Sequence, residues 1–95
     1  MYQEQAEAFL ANQPPEALAT GELFVIKNTI KRYVSGPNRA RLMRLANSVL
    51  GNLCTRANAG NIDRIRALFQ SMVQMIKSGN IGLFENEITR SKTEF

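Results

Sequence analysis

Histidine is absent from this 95-residue chain, and cysteine occurs once, at Cys54. A Cys/His zinc site and imidazole acid–base chemistry are therefore excluded, and so is an intramolecular disulfide. A single unpaired thiol suits a reducing compartment. Aspartate also occurs once, at Asp63, and the glutamates are scattered toward the two ends. The sequence has no glycine-rich phosphate loop, no metal-ligand cluster and no nucleophile–base set. Glu85 and Glu87 stand too close along a helix to share a face. Catalysis has no support in these residues, and no cofactor is expected. Cys54 has no histidine to activate it, and its place beside an apolar stripe reads as a buried, inert thiol.

Long apolar runs are missing too. None approaches the roughly 20 residues that a membrane-spanning helix needs. Met1-Tyr2-Gln3-Glu4-Gln5 is polar and acidic, where a secretory signal would start basic and continue apolar. A soluble cytoplasmic protein without a membrane partner is expected, belonging to a cell or to a virus that infects one. Strand alternation with hairpin signals is absent as well. Val25-Ile26 and Val34 lean toward β structure, but both sit inside a helical period. What is present is an ordinary globular composition, 44% hydrophobic and 21% charged, in one domain's length of chain. So short a domain is marginally stable alone, which keeps an oligomer in view.

The apolar spacing predicts an all-α fold, a bundle of four to five helices with short Gly/Asn/Pro loops. Residues 2–12 form a short acidic helix with Ala6, Phe9 and Leu10 on one strip, and Asn12-Gln13-Pro14-Pro15 ends it. Residues 1–14 thus read as N-terminal helix and linker. Pro15 suits a first helical position, but Gly21 sets Glu16–Thr20 apart as a separate turn. The second long helix covers about 21–34, with Leu23, Ile26, Ile30, Tyr33 and Val34 on its inner side. Gly36 ends it as a left-handed terminator. The third runs from Pro37 or Asn38 to about Ala57 and buries Leu42, Ala46, Val49, Leu50, Leu53 and Ala57. Gly51 within it marks either a close approach or a tolerated cost of about 1 kcal/mol. Asn61 is placed to cap the fourth helix, Ile62 to Lys77, whose apolar face is the widest. On that face Phe69, Met72, Val73, Met75 and Ile76 read either as a homodimer interface that completes the core or as core covered within one chain by Leu83 and Phe84 of the last helix. Gly60-Asn61-Ile62 and Gly79-Asn80-Ile81 read as one stop–start device used twice. The last helix spans Ile81 to about Thr89, and residues 90–95 are expected to fray.

Positive charge is concentrated in the middle. Residues 27–66 hold nine Lys or Arg against one acid, in a chain of net charge +4, while residues 1–26 hold four Glu and no cation. Arg41 and Arg44 stand one turn apart on the polar face of the third helix, with Ser48, Asn52 and Thr55 and no acid. Lys27 and Lys31 on the second helix and Arg39 at the turn extend the track, and Arg64 and Arg66 add to it from the fourth. Lys27, Lys31, Arg39, Arg41, Arg44, Ser48, Arg64 and Arg66 are the predicted nucleic-acid contacts, made through phosphates of DNA or RNA.

Helix-turn-helix readout fits the break at Ser35–Asn38 better than that at Asn58–Asn61, whose following helix is too apolar to read a groove. Duplex shape and phosphate contact need fewer special residues. Tyr33 is placed on the core stripe, so Phe24 is the one platform for stacking a single strand. A second reading is an interaction or regulatory module, such as a small phage- or virus-encoded inhibitor or assembly factor, acting on an acidic or apolar protein partner. A third is a solvated face paired in part with Glu4, Glu7, Glu16 and Glu22. A DNA mimic is excluded by the sign of the charge.

Overall fold

Two prolines set the first boundary. The structure, a computed structural model, describes residues 13–95, so the helix expected over 2–12 lies outside the described residues. Pro14 is extended, with ψ 148°, and Pro15 opens helix α1, Pro15–Tyr33. Proline fits that position because its missing N–H would have no intrahelical partner there. The break expected at Gly21 does not occur, and α1 runs through it. Gly21 is exposed with open space around it, so it costs only propensity, about 1 kcal/mol. Ala19, Leu23, Ile26 and Ile30 are buried on the other side, and that burial outweighs it.

Val34 leaves the helix in extended conformation, and Gly36 takes φ 69° and ψ −154°. Only glycine adopts that region cheaply. Gly36 therefore does not terminate α1 in the left-handed way expected; it is the entry to the next helix. Arg39 fastens the turn, its Nε donating to the Val34 carbonyl at 2.8 Å.

Helix α2 is one continuous rod in three pieces: α-helical Pro37–Leu45, a π turn over Ala46–Leu50, and α-helical Gly51–Thr55. The Gly51 N–H reaches back five residues to Ala46. The π turn has a packing consequence. Leu42, Ala46, Leu50 and Cys54 are all buried at steps of four. In a straight α-helix each such step drifts by about 40° around the axis. The wider π turn takes up part of that drift and keeps the four in line. Gly51 is not a point of close approach, since nothing lies within 4 Å of where its Cβ would be.

The next turn is built by two asparagines. Asn58 Oδ1 accepts from the Gly60 and Asn61 N–H groups, and Asn61 Oδ1 accepts from the Asn58 N–H at 2.7 Å. Asn61 stands at the start of α3, Ile62–Lys77, yet makes no side-chain cap there. Its amide is spent on the loop instead.

At the far end of α3, Gly79 has φ 81°. The Asn80 N–H reaches the Met75 carbonyl and the Gly79 N–H reaches that of Ile76, which is the Schellman ending. Gly60 has no positive φ, so the two similar Gly-Asn-Ile segments work by different means.

Helix α4, Ile81–Glu94, runs past the expected stop at Thr89. The tail does not fray because its inner stripe continues. Phe84 and Ile88 are buried, Ser91 follows with its Oγ donating to the Ile88 carbonyl, and Phe95 packs against the core.

The four described helices run alternately up and down. Glu22 of α1 meets Arg66 and Gln70 early in α3, while Lys77 at the end of α3 shares a cleft with Arg32 and Tyr33 at the end of α1. These two helices are therefore parallel, and they form the largest helix–helix contact. Arg41 meets Glu85 near the starts of α2 and α4, and Arg56 meets Phe95 near their ends, so that pair is parallel too.

The core between them holds Phe69, Met72, Val73 and Ile76. Of the five residues expected at a dimer interface, four are covered within one chain and Met75 is half-buried. The stripe is wide because α3 is flanked by neighbours within its own chain. Among the described residues, no helix is long and apolar enough to cross a membrane.

Candidate functional site

Residues 13–95 carry twelve cationic and six acidic side chains. Four ion pairs form among them: Arg41–Glu85 at 2.7 Å, Arg90–Glu87 at 2.8 Å, Arg64–Glu94 at 3.3 Å and Arg66–Glu22 at 3.4 Å. Three of the predicted nucleic-acid contacts, Arg41, Arg64 and Arg66, are thus opposed by carboxylates. Arg64 is further engaged by the Phe95 ring, 4.9 Å from its guanidinium. Pairs this exposed contribute about 0–1 kcal/mol each. They cancel charge without locking the arginines in place.

The remaining predicted cations have no carboxylate within ion-pair distance among the described residues. Lys31 is exposed near the end of α1, and Lys27 is half-buried one turn before it. Arg39 spans the turn between α1 and α2, and Arg44 is exposed about two turns into α2. Arg41 is placed toward α4 rather than toward Lys27 and Lys31 on α1. The Glu85 contact lies on the side of α4, and α4 makes no substantial contact with α1. Arg64 and Arg66 lie at the opposite end of the bundle, where α3 begins.

Two clefts collect cations that the sequence-based set left out. One, of about 240 Å³ between α1 and α3, is lined by Arg32 and Lys77 with Asn28, Thr29, Tyr33 and Val25. Tyr33 is half-exposed, not buried as expected, because α1 ends there and the chain turns away; Arg32 lies over its ring at 5.9 Å. The other, of about 310 Å³, runs between α2 and α4. Ser48, Asn52 and Arg56 line it from α2, and Ser91 and Lys92 line it from α4 over a floor of Val49 and Leu53. Ser48 is the one predicted residue in this groove. Arg56 was legible, since it continues the Ser48–Asn52 spacing of four. Lys92 was hidden by the expectation that the tail frays.

Cys54 is buried beneath α1 as expected, and burial pushes its thiol above the ordinary value; the Glu16 charge adds to the rise and Thr20 opposes it. That direction leaves little thiolate at neutral pH. Among the described residues, no three His, Cys, Asp or Glu side chains gather to hold a metal ion.

No model of a known protein family matches the chain, and no curated protein or solved structure is significantly similar to it.

Proposed function

We propose that the chain is a non-enzymatic binding protein that engages nucleic acid through its phosphates, in a reducing compartment such as the cytoplasm. The observation that carries this reading is the imbalance left after pairing. Among the described residues, eight of twelve cations have no Asp or Glu partner, against two of six acidic side chains, Glu16 and Asp63, without a cation. The eight are Lys27, Lys31, Arg32, Arg39, Arg44, Arg56, Lys77 and Lys92. A field of that sign recruits polyanions and gains from the counterions they release.

The position of the arginines on α2 supports the same reading. Arg39 falls in the opening turn of a helix that has no acid there, and Arg41 stands just beyond it. Cations are disfavoured at that positive end of the helix dipole, typically by about 0.3–1 kcal/mol each. A local cost of that kind is accounted for by an anionic partner. Its return in folding is limited to the Arg39 bond to the Val34 carbonyl, the Arg41 bond to Asn38 and the Arg41–Glu85 pair.

A protein partner is the second reading, favoured by exposed Phe24, Val25, Tyr33 and Leu83, which are 63%, 47%, 50% and 47% accessible. The two are separated by titrating the full chain with single- and double-stranded DNA and RNA across a range of salt. The nucleic-acid reading expects micromolar binding at low salt that collapses as salt rises, and the preferred probe names the substrate. Absence of binding at low salt overturns it and leaves the protein-partner reading.

A further inference from the structure

We propose that the groove between α2 and α4 is a seat for a phosphoryl group, held by Arg56 and Lys92 with Ser48 and Asn52 as neutral donors. The groove's volume of about 310 Å³ falls at the lower end of the roughly 300–1,000 Å³ typical of small-ligand sites. Two cations line it, and no acidic side chain does. The nearest carboxylates along α4 are committed elsewhere, Glu87 to Arg90 and Glu94 to Arg64.

The donors are available. Neither Ser48 Oγ nor the Asn52 side-chain amide hydrogen-bonds within the described residues, whereas the Ser91 hydroxyl proton is taken by the Ile88 carbonyl. Arg56 uses one nitrogen on the Phe95 main-chain oxygen at 3.3 Å, which leaves most of its five N–H donors free. A tetrahedral oxyanion accepts from several directions at once, and a guanidinium, an ammonium, a hydroxyl and an amide supply them.

The backbone adds an independent observation. Ser48 and Val49 lie inside the π turn, and such turns concentrate at functional positions. This one brings Ser48, Asn52 and Arg56, each four residues apart, to one wall. Opposing the site are the C-terminal ends of α2 and α4, each equivalent to about −0.5 charge. Two full cations exceed that, and the effect fades within one turn, short of Ser48.

The proposal rests on the nucleic-acid reading only for the source of the phosphate. A phosphodiester of a bound strand and a free phosphate present the same chemistry. The test follows backbone and side-chain NMR signals of the full chain in two arms, one with inorganic phosphate and one with a short oligonucleotide, each against chloride at matched ionic strength. Phosphate is expected to shift Ser48, Asn52, Arg56 and Lys92.

The double variant Arg56→Gln/Lys92→Gln is expected to weaken phosphate binding about tenfold or more, with the helical circular-dichroism signal unchanged. Gln74→Ala, exposed on α3, which does not line the groove, is expected to leave it alone. Should the Gln double variant lose helix content, Ser48→Ala/Asn52→Ala serves instead, with a smaller loss of the same sign. Displacement of phosphate by the oligonucleotide assigns the groove to a strand. Phosphate shifts without oligonucleotide binding keep the groove, assign it to a free phosphate and overturn the nucleic-acid reading. Absence of groove shifts, or wild-type phosphate affinity in the folded variants, overturns the proposal even if the oligonucleotide binds elsewhere.

Discussion

Helices α2 and α3 are built to opposite priorities. Along α3, local chemistry and packing agree. An acid opens it, a lysine closes it, a Schellman turn satisfies its last carbonyls, and six residues of its stripe are buried. Its two early arginines are paired with Glu94 and Glu22. Along α2 several local choices run against helix stability: an arginine and no acid in the first turn, a π turn and an internal glycine. Conflicts of that kind gather where a chain meets something else. The comparison teaches that α3 organises the core, while α2 is where the chain departs from what folding alone would select.

The largest effect that sharpens this contrast is expected from Phe69→Ala. Phe69 has no exposed surface, and truncating a buried aromatic costs about 3–5 kcal/mol. A domain of this kind has about 5–15 kcal/mol in total, so the urea midpoint should fall steeply. An unchanged midpoint would remove α3 from its central place. Next comes the removal of cations without and with carboxylate partners. Lys31→Gln/Arg44→Gln, which removes two cations without carboxylate partners, should lower the slope of log affinity against log salt by about 2. Arg64→Gln/Arg66→Gln, where the charge is already opposed, should lower it less. Equal slopes would mean that pairing does not decide which cations meet the ligand.

The contrast also explains what the sequence could and could not convey. Helix α3 was readable to the residue, because its period, its opening acid and its closing glycine are all local. Gly21 misled because propensity is local while the burial of Ala19 and Leu23 that overrides it is not. The tail misled in the same way. Ser91 looks like a surface residue until its hydroxyl is seen to bond its own helix, and the partner of Phe95, Arg64, is distant in the chain. For the candidate site, residue types were legible and their neutralisation was not. The carboxylates that oppose Arg64 and Arg66 lie 30 and 44 positions away, and no periodicity reports that. The α2–α4 groove was half-legible: its α2 wall is a sequence spacing, whereas its α4 wall exists only once the tail is helical.

The inner side of α2 offers a smaller effect, read through pH. The folded state holds the Cys54 proton more tightly than the unfolded chain, whose thiol stays near the ordinary value of 9.0. Its contribution to stability is therefore fully present below that value and is lost as pH rises above it. Unfolding free energy measured from neutral to alkaline pH should fall more steeply in the native protein than in Cys54→Ala. Parallel curves would place the thiol in contact with water.

The smallest effect is expected at Gly51, and it bears most directly on why α2 departs from helix rules. Gly51 is helical and has room for a Cβ, so Gly51→Ala should raise stability by about 0.5–1 kcal/mol through a less flexible unfolded chain. If that gain comes with unchanged nucleic-acid affinity, the glycine is simply tolerated, and the burden of function on α2 rests on its arginines and its π turn. If stability rises while affinity falls, the wild-type chain has kept a weaker helix beside the groove because binding needs α2 to yield there. A loss of stability would contradict the open space around Gly51 and point to a packed neighbour on that face.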